Sequence, residues 1–311
     1  AGGAAPGRGP VMTGRRYVTV DVFTDRRFGG NPLAVVLDAQ GLTATQMQQI
    51  ATEFNYAETT FVLPARDARH AAHVRIYTSR VEVPFAGHPN VGTAFVLARE
   101  LESRGMPLPE KFVFEEAAGL VPVRLLRTGQ ILTGAELTAP EPLSVGATVS
   151  AADAARCVGL SAEDIVIEHH PPQVLSVGLP FLVAQVASRD ALRRARADLA
   201  THERVLPPVG TDAIYIYARG AAVTELHARM FSPIDACPED PATGSATAAT
   251  LARLACLDPT GDAEQHWRVE QGVELGRPSL LLGRTCRRDG RLDAVHVGGQ
   301  VVAVMRGEIE V

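Results

Sequence analysis

A shift of 154 residues lays positions 75–99 over a later segment of the same chain without a gap, and that self-match constrains the fold more than any other feature of the sequence. Arg75, Pro84, Thr93, Ala94, Leu97, Ala98 and Arg99 meet identical residues at Arg229, Pro238, Thr247, Ala248, Leu251, Ala252 and Arg253. Ile76, Tyr77 and Thr78 meet Met230, Phe231 and Ser232 at the same shift, which also sets Glu58 over Asp212 and Phe61 over Tyr215. One residue further along, Glu115, Leu120, Leu125 and Leu126 fall on Glu270, Leu275, Leu280 and Leu281. Apolar and turn positions that recur in order mark two copies of one supersecondary unit. The chain is therefore expected to fold as two lobes of like topology.

Each copy opens on an apolar strand, NPLAVVLD at 31–38 and LPFLVAQV at 179–186. A helix and two further strands follow, and then a second helix, GTAFVLAREL at 92–101 and ATAATLARLA at 246–255. The strands are short runs of β-branched or aromatic residues between turn residues. Both second helices are apolar almost all round, and a helix without a polar face is one buried on every side. The pattern predicts an α+β architecture of two pseudo-symmetric lobes, each a curled β-sheet around a central buried helix. The expected boundaries are a disordered Gly/Ala/Pro-rich tail over 1–16, an N-terminal lobe over 17–140, a connector over 141–170 and a C-terminal lobe over 171–311. The last residues are expected to cross back to the N-terminal lobe.

Thirty basic against 35 acidic residues leave no basic stripe to follow a phosphate backbone, so no nucleic-acid partner is expected. The arginine-rich stretch RRARADLATHER at 193–204 carries its charges at helical spacings with acids, the mark of a solvated helix face. No run approaches the ~18 apolar residues of a membrane span, and the first residues hold no apolar leader segment. A soluble cytoplasmic protein with no membrane partner is expected. Cys157, Cys237, Cys256 and Cys286 lie far apart in no CxxC or zinc-like spacing, so they read as reduced thiols and no metal site is expected.

Positions shared by two copies maintain the fold, so polar positions that differ between them are candidates for chemistry. Phe85, Ala86, Gly87 and His88 in PFAGHPNVGTA correspond to Glu239, Asp240, Pro241 and Ala242 in PEDPATGSATA. The first copy offers His88 where the second has alanine, and the second offers Asp240 where the first has alanine. Both stretches run into the start of a buried helix, with Pro89 and Pro241 suited to a first helical turn and glycines that let a ligand approach the backbone. Unpaired N–H groups and the positive dipole end make each start a site for a carboxylate or a developing oxyanion. The pseudo-symmetry sets the two starts facing each other across the cleft. The plainer reading makes Asp240 an N-cap and His88 a surface turn residue; their complementary places in the repeat favour a shared site.

Glu58 heads ETTFVLP at 58–64, in the strand next to the one (VRIYT, 74–78) that feeds the cleft helix. Beside apolar Phe61 and Tyr56 its carboxyl is expected to lose solvation and rise in pKa, which suits proton transfer near neutral pH. The alternative is an exposed edge residue paired with Arg75.

Together these residues resemble the PhzF-like proteins, a family named for phenazine biosynthesis that shares the two-lobed fold of diaminopimelate epimerase. The resemblance runs from Tyr17 to the C-terminus. It rests on VDVFTDRRFGGNPLAVVLD (20–38), ETTFVLP (58–64), PFAGHPNVGTA (84–94), EDPATGSA (239–246), EQGVELGRPS (270–279) and VGGQVVAV (297–304). It implies a homodimer, a cleft active site, a small carboxylic-acid substrate, and neither cofactor nor metal. Family members of known activity isomerise trans-2,3-dihydro-3-hydroxyanthranilate by moving a hydrogen along the ring, after which the enol product ketonises. Carried over motif by motif, Glu58 would be the proton shuttle, with His88, Asp240 and Ser245 holding the substrate and assisting transfer. Gly87, Pro89, Asn90, Thr243 and Gly244 would complete the substrate site. Many members carry Ser immediately before the glutamate and an aliphatic residue before that, where this chain has Ala57 and Tyr56.

Two other functions stay open. A related amino-acid racemase or epimerase uses one cysteine from each cleft helix, and the matching positions here are Ala86 and Ala242. A non-catalytic small-molecule-binding protein would keep the cleft without turnover. No GxGxxG lies between a strand and a helix, so no dinucleotide cofactor is expected.

Overall fold

A computed structural model describes residues 14–235, 237–258 and 263–311. The N-terminal half runs β1 (Gly14–Val22), β2 (Asn31–Val36), α1 (Ala44–Phe54), β3 (Glu58–Leu63), β4 (Ala72–Tyr77), β5 (Glu82–Val83), α2 (Gly87–Ser103), β6 (Lys111–Glu116), β7 (Gly119–Thr128) and β8 (Ile131–Thr138). The C-terminal half begins with β9 (Ser144–Thr148), α3 (Ala151–Cys157), β10 (Ile165–Val166), β11 (Gln173–Ser176), β12 (Pro180–Val186), α4 (Arg189–Arg194) and α5 (Leu199–Val205). It continues through β13 (Ile214–Arg219), β14 (Glu225–Ser232), β15 (Cys237–Asp240), α6 (Gly244–Leu257), β16 (Glu264–Gln271), β17 (Ser279–Arg288) and β18 (Arg291–Glu310).

The duplication is visible in how the strands pair. In the first half β2 runs parallel to β3, β3 antiparallel to β4, β4 parallel to β6, and β6, β7 and β8 form an antiparallel meander. The second half repeats the order with β12, β13, β14, β16, β17 and β18. Each parallel step needs a crossover, supplied by α1 or by α4 and α5 before the first, and by α2 or α6 before the second. The long last strand joins the lobes: residues 291–298 pair with β17, 296–300 with β8 and 301–310 with β1.

The central helices are buried as their composition requires. Helix α2 touches β1, β2, β3, β7, β8 and β18, and α6 touches β11, β12, β17 and β18. Gly92 lets α2 pack close on the sheet, since a Cβ there would fall 2.5 Å from Leu33 Cδ2. The architecture is thus α+β: among the described residues one sheet of 18 strands curls round α2 in the first lobe and round α6 in the second.

Three sequence expectations are refined. Residues 14–16 of the expected tail open β1, while 1–13 lie outside the described residues. The stretch taken as a connector is itself folded: β9 pairs with β11 and β10 with β12, and Ala154, Ala155 and Cys157 of α3 are fully buried. Its small residues, read as linker composition, pack a second core beneath the sheet. The arginine-rich stretch forms two short helices rather than one, because Ala195 turns extended, although Arg193 and Arg194 do pair with Asp190 on a solvated face.

The sheet also corrects the register of the repeat. Arg75 faces Phe61 across β3 and β4, whereas its copy Arg229 faces Ile216 across β13 and β14. Phe61 therefore corresponds to Ile216, and Glu58 to Ala213 rather than Asp212. Thr60 Oγ1, 2.8 Å from Thr93 Oγ1, is matched by Tyr215 OH, 3.0 Å from Thr247 Oγ1. Glu58 is thus one more polar residue that one copy has and the other lacks.

Among the described residues no helix is long and apolar enough to cross a membrane, and no three His, Cys, Asp or Glu side chains are grouped to hold a metal ion.

Candidate active site

Helix α2 begins at Gly87 after N-cap Ala86, and α6 at Gly244 after N-cap Thr243; neither cap side chain accepts a hydrogen bond from its helix. The two starts abut. A Cβ on Gly87 would lie 3.7 Å from the Ser245 nitrogen and 3.8 Å from Gly244 Cα. First-turn N–H groups and two positive dipole ends thus converge where the lobes meet. A narrow apolar hollow opens there, lined by Phe23, Phe85, Val177, Leu179 and Val297 together with Gly87, Gly244 and Ser245. Phe23 holds its place in the left-handed region, φ 65°. Pro89 is the third residue of α2, but Pro241 lies ahead of α6 and not within its first turn.

Glu58 reaches this junction through local structure. A capping box of Thr43 and Gln46 starts α1, and left-handed Asn55 ends it, turning the chain into β3 beside β2. Alternation along β3 puts Glu58 and Thr60 on the face toward α2 and Phe61 on the other, where it meets Tyr77 edge-on at 5.4 Å. The expected neighbours are therefore not the cause of its environment: Phe61 points away and the Tyr56 hydroxyl turns to Thr19. Nor does Arg75 pair with it, being held by Glu82 at 2.6 and 2.7 Å.

Glu58 Oε2 lies instead 3.5 Å from His88 Nε2. Burial, and then the charge of Asp240, push the Glu58 carboxyl up to about 8. His88 is 6% exposed, which excludes a surface turn role. Burial pushes its pKa down to about 3, only partly offset by a hydrogen bond to the Pro32 backbone. Proline has only a carbonyl to offer, so the imidazole N–H donates to it. Nε2, buried without a hydrogen-bond partner among the described residues, is left as the lone pair facing Glu58. A neutral imidazole thus faces a carboxyl that holds its proton at neutral pH.

Asp240 ends β15, four residues before α6, so it is not the N-cap. Its carboxylate accepts from Asn31 Nδ2 at 2.8 Å, from the Thr243 hydroxyl at 2.5 Å and from the Ala242 backbone N–H. Burial raises it to about 6, and those donors hold it below Glu58. Two carboxyls in one buried site are in this way pushed apart, with Asp240 ionising first and Glu58 second.

Of the other expected residues, Gly87, Gly244 and Ser245 line the hollow. The Thr243 hydroxyl is spent on Asp240, and the Asn90 amide, fully buried, donates to Ala86 of its own helix. Ala86 and Ala242, where a racemase of this shape would need thiols, are both buried alanines.

Asn31, Arg277 and Gln271 lie within the motifs above, although no role was expected of them. Asn31 Nδ2 donates to both Asp240 and the Ala242 carbonyl, reaching from one lobe into the other. Arg277 bonds Asp21 at 2.6 Å and the carbonyls of Gly29 and Gly30, fixing the turn that presents Asn31. Gln271 donates to the Asp240 carbonyl and the Thr243 hydroxyl and accepts from the Thr243 N–H. The available signal was an amide at the mouth of an apolar strand, with no local partner for its N–H groups.

A family model described as phenazine biosynthesis-like protein matches residues 20–307. The chain is 39% identical over 306 residues to an uncharacterized isomerase of Mesorhizobium japonicum, covering 96% of this chain and 99% of that one. It is 36% identical over 299 residues to the trans-2,3-dihydro-3-hydroxyanthranilate isomerase of Pseudomonas chlororaphis, covering 94% and 98%. Among solved structures, a Bacillus anthracis phenazine biosynthesis protein of the PhzF family superposes with a TM-score of 0.84 at 25% identity, covering 96% of this chain and all of that one.

Proposed function

Because the chain belongs to the phenazine biosynthesis-like family and is an isomerase, we propose that it moves a proton between two carbons of a small cyclic carboxylic acid through Glu58. The observation that carries this reading is the pair of enclosed carboxyls, Asp240 and Glu58, whose pKa values are pushed apart to about 6 and about 8 beside a neutral His88. The substrate's carboxylate sits against the first-turn N–H groups of α2 and α6, at the junction that Phe23 and Phe85 line. Ionised Glu58 takes the proton from one ring carbon. The electron pair of that C–H bond delocalises into the ring, and the N–H groups at Gly87 and Gly244 hold the charge that develops. Glu58, now a neutral acid, returns the proton to a second carbon, and the double bond has moved. His88 keeps the carboxyl in place, and Asp240 holds the site's resident negative charge.

The reading takes its substrate type from the Pseudomonas chlororaphis relative, a dihydro-hydroxyanthranilate. It needs no group beyond the chain's own side chains and backbone. It also carries the homodimer and the cytoplasmic location expected from the sequence, checked by light scattering and by cell fractionation.

Purified, chelator-treated enzyme is expected to isomerise trans-2,3-dihydro-3-hydroxyanthranilate or a close cyclic analogue in plain buffer. In D₂O the product should carry deuterium only at the carbons of the shift. Activity that appears only on adding a metal or an organic cofactor overturns the mechanism, and binding without turnover or deuterium uptake favours a binding protein.

A further inference from the structure

The pseudo-symmetry that pairs the two cleft helices also pairs Glu116 with Gln271. Each is the last residue of its strand, β6 or β16, which runs parallel to β4 or β14, the longer of the two strands ahead of the cleft helix. Each follows a glutamate, Glu115 or Glu270, that stands opposite a histidine, His73 or His227. In the second copy the Gln271 amide is fully used, with its Nε2 2.8 Å from the Asp240 carbonyl and its Oε1 3.0 Å from the Thr243 N–H.

The first copy cannot repeat this clamp. Pro89 stands where Thr243 stands and has neither an N–H nor a hydroxyl. The Ala86 carbonyl, which corresponds to that of Asp240, is taken by Asn90 Nδ2 at 3.0 Å. Both Glu116 oxygens and Asn90 Oδ1 are in consequence buried without a hydrogen-bond partner among the described residues. The Asn90 amide faces the Glu116 carboxyl. Buried acceptors with no hydrogen to accept are costly, and a proton on one carboxyl oxygen supplies one.

We propose that Glu116 is a positioning residue, whose protonated carboxyl donates to Asn90 Oδ1 and clamps the first turn of α2, holding the His88 ring against Glu58. A carboxylic acid here does what the carboxamide of Gln271 does under Asp240 in the other lobe. The surroundings favour the neutral acid: burial pushes the Glu116 carboxyl up to about 8, with Asn90 drawing it only part of the way back. The charged or titratable groups that line the adjoining hollow are Arg66, His73, Arg75 and Glu82. Arg75 is held by Glu82, and burial together with Arg66 lowers His73. Among the described residues neither Arg66 nor Arg75 forms an ion pair with Glu116.

The consequence for catalysis rests on the reading that His88 serves Glu58, whereas the consequence for stability does not. Glu116→Leu removes the donor and Glu116→Gln restores one at the same place. In steady-state kinetics Glu116→Leu is expected to lower kcat about tenfold with KM changed less than twofold, and Glu116→Gln to recover most of kcat. Thermal midpoints are read beside this, without substrate, from pH 5 to pH 9. Wild type must lose a proton from a buried acid as pH rises and Glu116→Gln need not, so the midpoint of the Gln variant should gain on that of wild type toward pH 8. A gap between the two midpoints that stays constant with pH overturns the protonated clamp, even if Glu116→Leu fails to fold. A gap that widens while Glu116→Gln remains as slow as Glu116→Leu keeps the neutral acid and overturns its effect on His88.

Discussion

Glu58 Oε2 and His88 Nε2 stand 3.5 Å apart, both enclosed and neither with a hydrogen-bond partner among the described residues. A carboxyl satisfied by fixed donors would give up its proton early and be a poor base. This one faces a lone pair and a neighbouring carboxylate, so it is poised to exchange a proton near neutral pH. Glu58→Gln keeps the shape and the capacity to hydrogen-bond but cannot carry the proton. Its kcat is expected to fall ~100-fold or more with KM nearly unchanged. A variant that turns over at a comparable rate removes Glu58 from the mechanism.

The rate should follow the ionised fraction of Glu58. With the carboxyl at about 8, kcat/KM should rise roughly tenfold per pH unit below that value and level off above it. Because the Asp240 charge contributes to the elevation, Asp240→Asn should move the rising limb to lower pH, whatever it does to the plateau. A limb that stays in place would show that the two carboxyls do not share one site.

Stability should respond to pH with the opposite sign. A folded-state pKa raised from 4.5 to about 8 means that the native state holds the Glu58 proton while the unfolded chain releases it. The contribution is fully present below pH 4.5 and is lost as pH rises to about 8, at about 1.4 kcal/mol per unit between those limits. Glu58→Gln should therefore be more stable than wild type at pH 8 by a margin that shrinks toward pH 5, as urea titrations at the two pH values would show.

Gly87 sits in a helical conformation with room for a methyl group, since its nearest non-local neighbours would be 3.7 Å or more from an added Cβ. Gly87→Ala should accordingly be neutral or stabilising, by up to about 1 kcal/mol. The same methyl projects to where the two helix starts meet, so substrate should bind worse. An unchanged or higher thermal midpoint combined with at least a tenfold rise in KM is the expected signature, and an unchanged KM would place the substrate elsewhere.

Arg277 and Asp21 lock the lobes together beneath Asn31. Asp21 is 3% exposed, so Arg277→Leu leaves a buried carboxylate without its cation and should cost about 3 kcal/mol. Adding Asp21→Asn to that variant should recover part of the loss, because the unpaired charge goes with it. Denaturant midpoints of the two single variants and the double variant test the coupling.

The duplication, the apolar central helices and the strands beginning near Asn31 and Pro180 were legible in the sequence, because each depends on local periodicity and on residues within a few positions of one another. The asymmetric pair His88 and Asp240 was legible for a related reason, since a repeat supplies its own internal reference. Glu58 was found as an acid at the mouth of an apolar strand, but its correspondence to Asp212 was not correct. A one-residue change in loop length leaves composition almost untouched, and only the pairing of Phe61 with Arg75 and Ile216 with Arg229 fixes the register. Tertiary structure alone decided which groups surround each carboxyl. Asn31 reaches Asp240 across 209 positions of chain and Arg277 reaches Asp21 across 256, distances over which no sequence pattern carries information. Desolvation and charge coupling depend on such non-local neighbours, so the sequence could say that Glu58, Asp240 and Glu116 are acids, and the packing determined which of them keeps its proton.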